Sequence, residues 1–269
     1  MDYQNRIHDV DRQQAQIAAL RPLDSYDLKQ LKEYYRIGLT YSSNALEGNS
    51  LTLTETKIVL EDGITIGGKP LKEHYEAAGH SEAFDLLCRL SKNSSITEDD
   101  IKNLHKLFYY RIDAEHAGVY RDRAVVITGT DFVPPPPTAV AREMEKFAQS
   151  LPALKEQLHP VHYAARLHGE LVNVHPFVDG NGRTARLLMN LALMQSGYPI
   201  TVIPPVVKGD YITAISDTNK GDYRRLDNFL SCMVWEAQRD YLRLFKALNP
   251  ESPQEEPAKK NVKKHGVSR

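Results

Sequence analysis

Helical periodicity runs through most of the chain and fails clearly in one place, the stretch GVYRDRAVVITGTDFVPPPP at residues 118–137. Segments with apolar residues three and four apart must bury those stripes against one another, so the chain is expected to be all-α, a helical bundle. In the exceptional stretch Val119, Val125, Val126 and Ile127 are β-branched, and Gly129, Thr130 and Asp131 carry turn chemistry. A small β-hairpin is expected there. Pro134 to Pro137 can continue neither a ladder nor a helix, so they form an extended exit that fixes the hairpin's base.

Local signals place the helices. Asp24 and Ser25 can cap a helix through LKQLKEYYRIGLTYSSNALE that stops at Gly48 and Asn49. Thr52 with Glu55 forms a capping box for a short helix closed by Gly63, and Thr97 with Asp100 forms a weaker one. Between them lies a helix in LKEHYEAAGHSEAFDLLCRL. Later helices are expected at about 138–149, from Pro160 through VHYAARLHGELVNV, along RTARLLMNLALMQSG to Gly197, and at roughly 210–219 and 222–247. After Asn249 proline and charge dominate, and a disordered tail at 249–269 is expected.

Composition excludes several classes. The chain has 269 residues with Lys+Arg 34 against Asp+Glu 35, a net charge of −1, so no global field draws it to nucleic acid or to anionic lipid. Neither partner is expected. No apolar run approaches the roughly 20 residues of a membrane span, and the first twenty residues lack the apolar core of a secretory leader, so a cytoplasmic protein is expected. Cys88 and Cys232 form no CxxC pair and are expected to be buried thiols.

The chemistry concentrates in HPFVDGNGRTAR, residues 175–186, between two expected helices. Gly180 and Gly182 remove side chains where a turn enters a helix, so free backbone N–H groups can approach an anion. Arg183 and Arg186 share one helix face at an end whose dipole disfavours cations by roughly 0.3–1 kcal/mol each. They need an anion nearby, and two guanidinium forks suit a di- or triphosphate. Asp179 is a hard oxygen ligand suited to Mg²⁺ that bridges phosphates. Asn181 can donate to a phosphate or fix the loop. His175 can take a proton from an attacking hydroxyl. These are the parts of a phosphoryl-type transfer. Gly67-Gly68-Lys69-Pro70 lacks the spacing and the hydroxyl of a P-loop. His159, His162 and His168 lack an HExxH pattern and read as surface or packing residues.

The twelve residues resemble a complete Fic motif, HxFx(D/E)GNGRxxR, and the similarity extends over about residues 40–247. The resemblance implies a Fic-type helical bundle with one hairpin flap, and AMPylation, the transfer of AMP from ATP to Ser, Thr or Tyr hydroxyls of target proteins and of the chain itself, with release of pyrophosphate. It implies His175 as general base, Phe177 as the loop's anchor, and Asp179 as the Mg²⁺ ligand. Asn181 and Arg183, with the Gly180 and Gly182 backbone, would hold the phosphates, and Arg186 the γ-phosphate. Asn219 and Tyr211 would contact the adenosine, and Thr130 and Asp131 at the flap tip would dock the target backbone.

A second stretch, Ser43-Asn44-Ala45-Leu46-Glu47-Gly48-Asn49, resembles the Fic inhibitory motif. Ser43 and Glu47 share one helix face, and Glu47 is the natural anion for Arg186. The implied organisation is an N-terminal helical region over 1–100 containing an inhibitory helix at about 25–48, a Fic core over 101–248, and the tail, with a homodimer left open. Two other functions are carried: a deAMPylase, alone or beside transfer, in which Glu47 orients water, and a regulatory Fic module without catalysis.

Overall fold

The computed structural model describes residues 3–20, 22–127 and 130–249. Ten α-helices and two 3-10 turns make up its regular structure, so the all-α expectation holds. The first twenty residues hold a helix, α1 (Ile7–Ala18). Asp24 caps α2 (Ser25–Ala45) by accepting from Tyr26 N and Asp27 N. Thr52 and Glu55 form the capping box of α3 (Leu53–Glu61), and α4 is Leu71–Leu90. Thr97 and Asp100 box the start of α5 (Glu98–Tyr109). Each box satisfies two otherwise orphaned N–H groups at a helix start.

The helix expected at 138–149 is longer, α6 (Pro137–Gln157), with Pro152 inside it. Proline removes one backbone hydrogen bond. The stripe of Phe147, Leu151, Leu154 and Leu158 packed against the core continues through that point and offsets the loss. The chain then forms α7 (Pro160–Val174), α8 (Asn181–Gln195), α9 (Lys208–Ser216) with a 3-10 turn at Asp217–Lys220, and α10 (Arg224–Leu248).

Helix α8 is buried around nearly its whole circumference from Asn181 to Leu193, as a central bundle helix must be. Helices α7, α4 and α5 surround it, and α2 crosses near its start. The ends of the chain meet: Arg6 N donates to Ser231 Oγ (2.9 Å) and Gln238 Nε2 to Val10 O (3.1 Å), joining α1 to α10. One apolar core runs from Val10 to Phe245. None of the described helices is long and apolar enough to cross a membrane.

Two expectations are corrected. Among the described residues of 118–136 there is no strand, so the expected hairpin ladder does not form among them. The flap backbone is held instead by Arg121, which is buried. Arg121 Nε donates to His175 O (2.8 Å), Nη1 to Arg123 O (3.1 Å) and Nη2 to Pro135 O (2.5 Å), tying both limbs of the flap to the motif loop. A guanidinium with donors fixed in one plane thus replaces a ladder. Cys88 and Cys232 are free but half-buried, because both sit at the edge of the core. The tail expected at 249–269 lies, beyond Asn249, outside the described residues.

Candidate active site

The motif loop joins α7 to α8 and begins with strain. His175 ends α7 at φ 50°, ψ 57°, the one non-glycine residue with positive φ among those described. That conformation costs on the order of 1 kcal/mol and is kept where surrounding structure enforces it. Here His175 N donates to Leu171 O (2.9 Å), Arg121 grips the His175 carbonyl, and Arg121 N donates to Pro176 O (2.9 Å). The ring lies with Nδ1 3.3 Å from Val172 O. A carbonyl only accepts, so Nδ1 carries the hydrogen and Nε2 is the basic nitrogen. Burial and the nearby Arg121 charge lower the His175 pKa against the Val172 carbonyl and the carboxylates of Asp179 and Glu47, which keeps the ring neutral.

Three side chains fix the rest of the loop. Phe177 is fully buried and stacks on His105 of α5 with ring centres 3.7 Å apart. His105 Nδ1 accepts from Gly118 N (2.9 Å), so its Nε2–H donates to Asp179 O (3.0 Å). Both ring nitrogens are used. Asn181 accepts from Phe177 N and donates to Phe177 O, each at 2.9 Å. Of the two roles open to Asn181, its side chain performs loop fixing. Gly180 has φ 77°, and a Cβ there would lie 2.7 Å from the Phe108 ring. A Cβ on Gly182 would overlap Glu47 Oε1. The first turn of α8 carries no side-chain cap, so its N–H groups stay open to an anion.

Both arginines have found carboxylates. Arg186 Nη2 meets Glu47 Oε1 at 2.6 Å and also donates to Ser43 O (2.8 Å), Nε donates to Ser43 Oγ (2.9 Å), and Nη1 donates to Tyr211 Oη (3.1 Å). Burial pushes the Glu47 carboxyl up, and the Arg186 charge and hydrogen bond outweigh it, leaving its pKa below the ordinary value. Arg183 Nη1 pairs with Glu76 Oε1 of α4 at 2.9 Å, and its Nη2 is 3.6 Å from Asp179 Oδ1. The Arg183 guanidinium also lies over the Phe108 ring, 4.2 Å from its centre.

These elements border a cleft of about 180 Å³ lined by His175 and Gly182 of the motif, Glu47, Arg186, Tyr211 and Asn219. Flap residues Ile127, Thr130 and Phe132 form one side of it.

Residues 95–193 match the Fic/DOC family. Two proteins named Protein adenylyltransferase Fic resemble the chain at 36% identity: that of Drosophila willistoni over 230 residues, 85% of this chain and 46% of its own length, and that of Nematostella vectensis over 232 residues, 85% and 53%. The chain spans about half the length of these relatives. Among solved structures, residues 134–508 of C. elegans Fic-1 superpose with a TM-score of 0.82 at 30% identity, covering 90% of this chain and 72% of that one. The chain belongs to the Fic/DOC family. A Fic domain-containing signalling protein from Bacteroides thetaiotaomicron gives a TM-score of 0.81 at 28% identity, covering 93% of this chain and 100% of that one.

Most residues singled out in this Fic sequence converge. His175, Gly182, Arg186, Glu47, Tyr211, Asn219 and Thr130 line one cleft. Ser43 is buried behind it as a double acceptor for Arg186. Arg183 and Asn181 are buried, and their side chains are engaged by protein partners. Asp179 stays about half exposed, with Oδ1 accepting from Gly180 N (2.6 Å). Asp131 is exposed on the flap, and Thr130 Oγ1 there accepts from Phe132 N (3.1 Å). No cluster of three metal-ligating side chains occurs among the described residues. A single carboxylate still suits Mg²⁺, which commonly takes one or two carboxylates and completes its shell with water and substrate phosphates.

Glu76, His105, Arg121 and His168 were not read as site residues from sequence. Glu76 left a trace: with His80, Ala83, Phe84 and Leu87 it sits in the buried stripe of α4, where an acid needs a cationic partner. The other three gave no local signal.

Proposed function

We propose that the chain is a protein adenylyltransferase that moves AMP from ATP to a Ser, Thr or Tyr hydroxyl of a protein, including itself, and is restrained by its own Glu47. The observation that carries the reading is the cleft in which His175, a phosphate-suited helix start and the Glu47–Arg186 pair face one another. The adenylyltransferase relatives support the same chemistry.

His175 Nε2 removes the proton of the incoming hydroxyl, the hydroxyl oxygen forms a bond to the α-phosphorus, and the bond from that phosphorus to the bridging oxygen breaks, releasing pyrophosphate. The open N–H groups of α8 and the guanidinium of Arg186 hold phosphate oxygens, while Tyr211 and Asn219 border the adenosine. Asp179 would hold Mg²⁺ against those phosphates and so supply charge neutralisation. Residues 25–48 act as the regulatory segment of a core over 101–248. While Glu47 occupies Arg186, the γ-phosphate lacks its partner and the α-phosphorus is misaligned for in-line attack.

Replacing Glu47 by Gly should raise label incorporation from ATP labelled at the α-phosphate at least about tenfold, roughly 1.4 kcal/mol of barrier, with Glu47→Gly/His175→Ala as the inactive control. No increase over wild type would remove Glu47 from its inhibitory role. Glu47 also borders the cleft as a carboxylate about a third exposed, which favours a second activity, the orientation of water toward an AMP–protein bond. Release of AMP from labelled protein by wild type and not by Glu47→Gly is its test.

A further inference from the structure

Arg186 is held from two sides. Its bonds to Ser43 Oγ, Ser43 O and Glu47 all lead to α2 and the turn that follows it. The remaining bond, from Nη1 to the Tyr211 hydroxyl, leads to α9. Release of Glu47 removes one of the three α2-side bonds, which leaves Ser43 on one side and Tyr211 on the other to hold the guanidinium.

The Tyr211 hydroxyl lies between Arg186 and Nε2 of His168, 2.7 Å away on α7. Arg186, Tyr211 and His168 are 3%, 2% and 1% exposed. A guanidinium has donors only, so the phenol oxygen accepts from Arg186 and has its own proton left to give. If His168 carries its hydrogen on Nδ1, Nε2 accepts that proton and one buried atom, Nδ1, goes without a partner. With the hydrogen on Nε2, Nδ1 is still unpartnered and the phenol proton is stranded as well. Each buried polar group left unpaired costs about 1–3 kcal/mol, so the Nδ1–H form prevails. Burial raises the Tyr211 pKa against the Arg186 charge, and burial with that same charge pushes His168 down to about 3, so the phenol keeps its proton and the imidazole stays neutral.

We propose that His168 is a positioning residue for phosphate recognition: by accepting the Tyr211 proton it turns the phenol lone pair toward Arg186 and keeps the guanidinium aimed into the cleft once Glu47 has left. It acts through Tyr211, since His168 does not border the cleft. The proposal deepens the adenylyltransferase reading and rests on it for the role of Arg186.

The test uses the full chain carrying Glu47→Gly. His168→Leu should weaken ATP affinity about tenfold by calorimetry and raise the KM for ATP in self-labelling more than it lowers kcat. His168→Gln, whose carboxamide oxygen can take the place of Nε2, should restore most of both. Adding His168→Leu to Tyr211→Phe should cost nothing further, because the hydroxyl it works through is gone. Equal losses from Leu and Gln, or losses that add in the double variant, overturn the proposal. Should His168→Leu fail to fold, ¹⁵N shifts of the His168 ring in the Glu47→Gly chain decide: an unprotonated Nε2 that changes in Tyr211→Phe supports it, and a protonated Nε2 overturns it. If Glu47→Gly binds ATP yet labels nothing, the transfer reading fails, while affinity and tautomer still judge His168.

Discussion

Arg183 and Arg186 stand where a helix dipole repels them, and each is stabilised by one acid from another helix or its end. The two acids differ in consequence. Glu47 is partly exposed at the cleft, whereas Glu76 is buried on α4 and is further held by Asn49 Nδ2 at 2.9 Å. Glu76 therefore serves as the permanent counter-ion of Arg183. Glu76→Gln would strand a buried guanidinium, and a loss of about 3 kcal/mol in unfolding free energy is expected by urea titration. A change within about 0.5 kcal/mol would show that Asp179, 3.6 Å from Arg183, suffices as the partner. Gly182 has a second reason to lack a side chain, because a Cβ there would occupy the space of the Glu47 carboxylate.

Among the elements, the flap depends most on one residue. Without a ladder, its two limbs are joined to the motif loop by the Arg121 guanidinium, which also supports the strained His175 backbone. Arg121→Ala should speed amide exchange across 119–127 and 130–133 and lower protein labelling in the Glu47→Gly chain by at least about tenfold, with ATP affinity changed less. Unchanged exchange would show that the flap is held by other contacts. Helix α2 is fixed differently. Arg36 donates to both oxygens of Asp85 on α4 at 2.8 Å, and Lys32 adds a bond at 2.7 Å, so the helix that positions Glu47 is tied to the bundle about two to three turns upstream of Ser43.

At the scale of the whole molecule, His80, His105 and His168 are buried in the bundle around α8, and burial pushes their pKa values down from 6.5 to about 3, 4 and 3. The unfolded chain takes up these protons near 6.5 and the folded chain only near 3–4. Their contribution is complete above about pH 6.5 and is lost progressively as pH falls toward 4. The melting temperature should therefore already decline between pH 6.5 and 5.5, above the range where most carboxylates titrate, and a flat profile there would refute the assignment of neutral buried rings. The helix starts at Asp24, Thr52 and Thr97, the stop at Gly197 and the order of groups from His175 to Arg186 were legible in the sequence, because a cap or a contiguous loop is decided by residues within a few positions of one another. The meeting of Glu47 and Arg186, 139 residues apart, was legible only through a motif resemblance. The Glu76–Arg183 pair, the His168–Tyr211 contact, the Arg121 clasp and the left-handed His175 were decided by the tertiary structure alone. Each depends on which faces of helices distant in sequence come into contact, and a buried charge or hydroxyl takes whatever partner that packing leaves within about 3 Å.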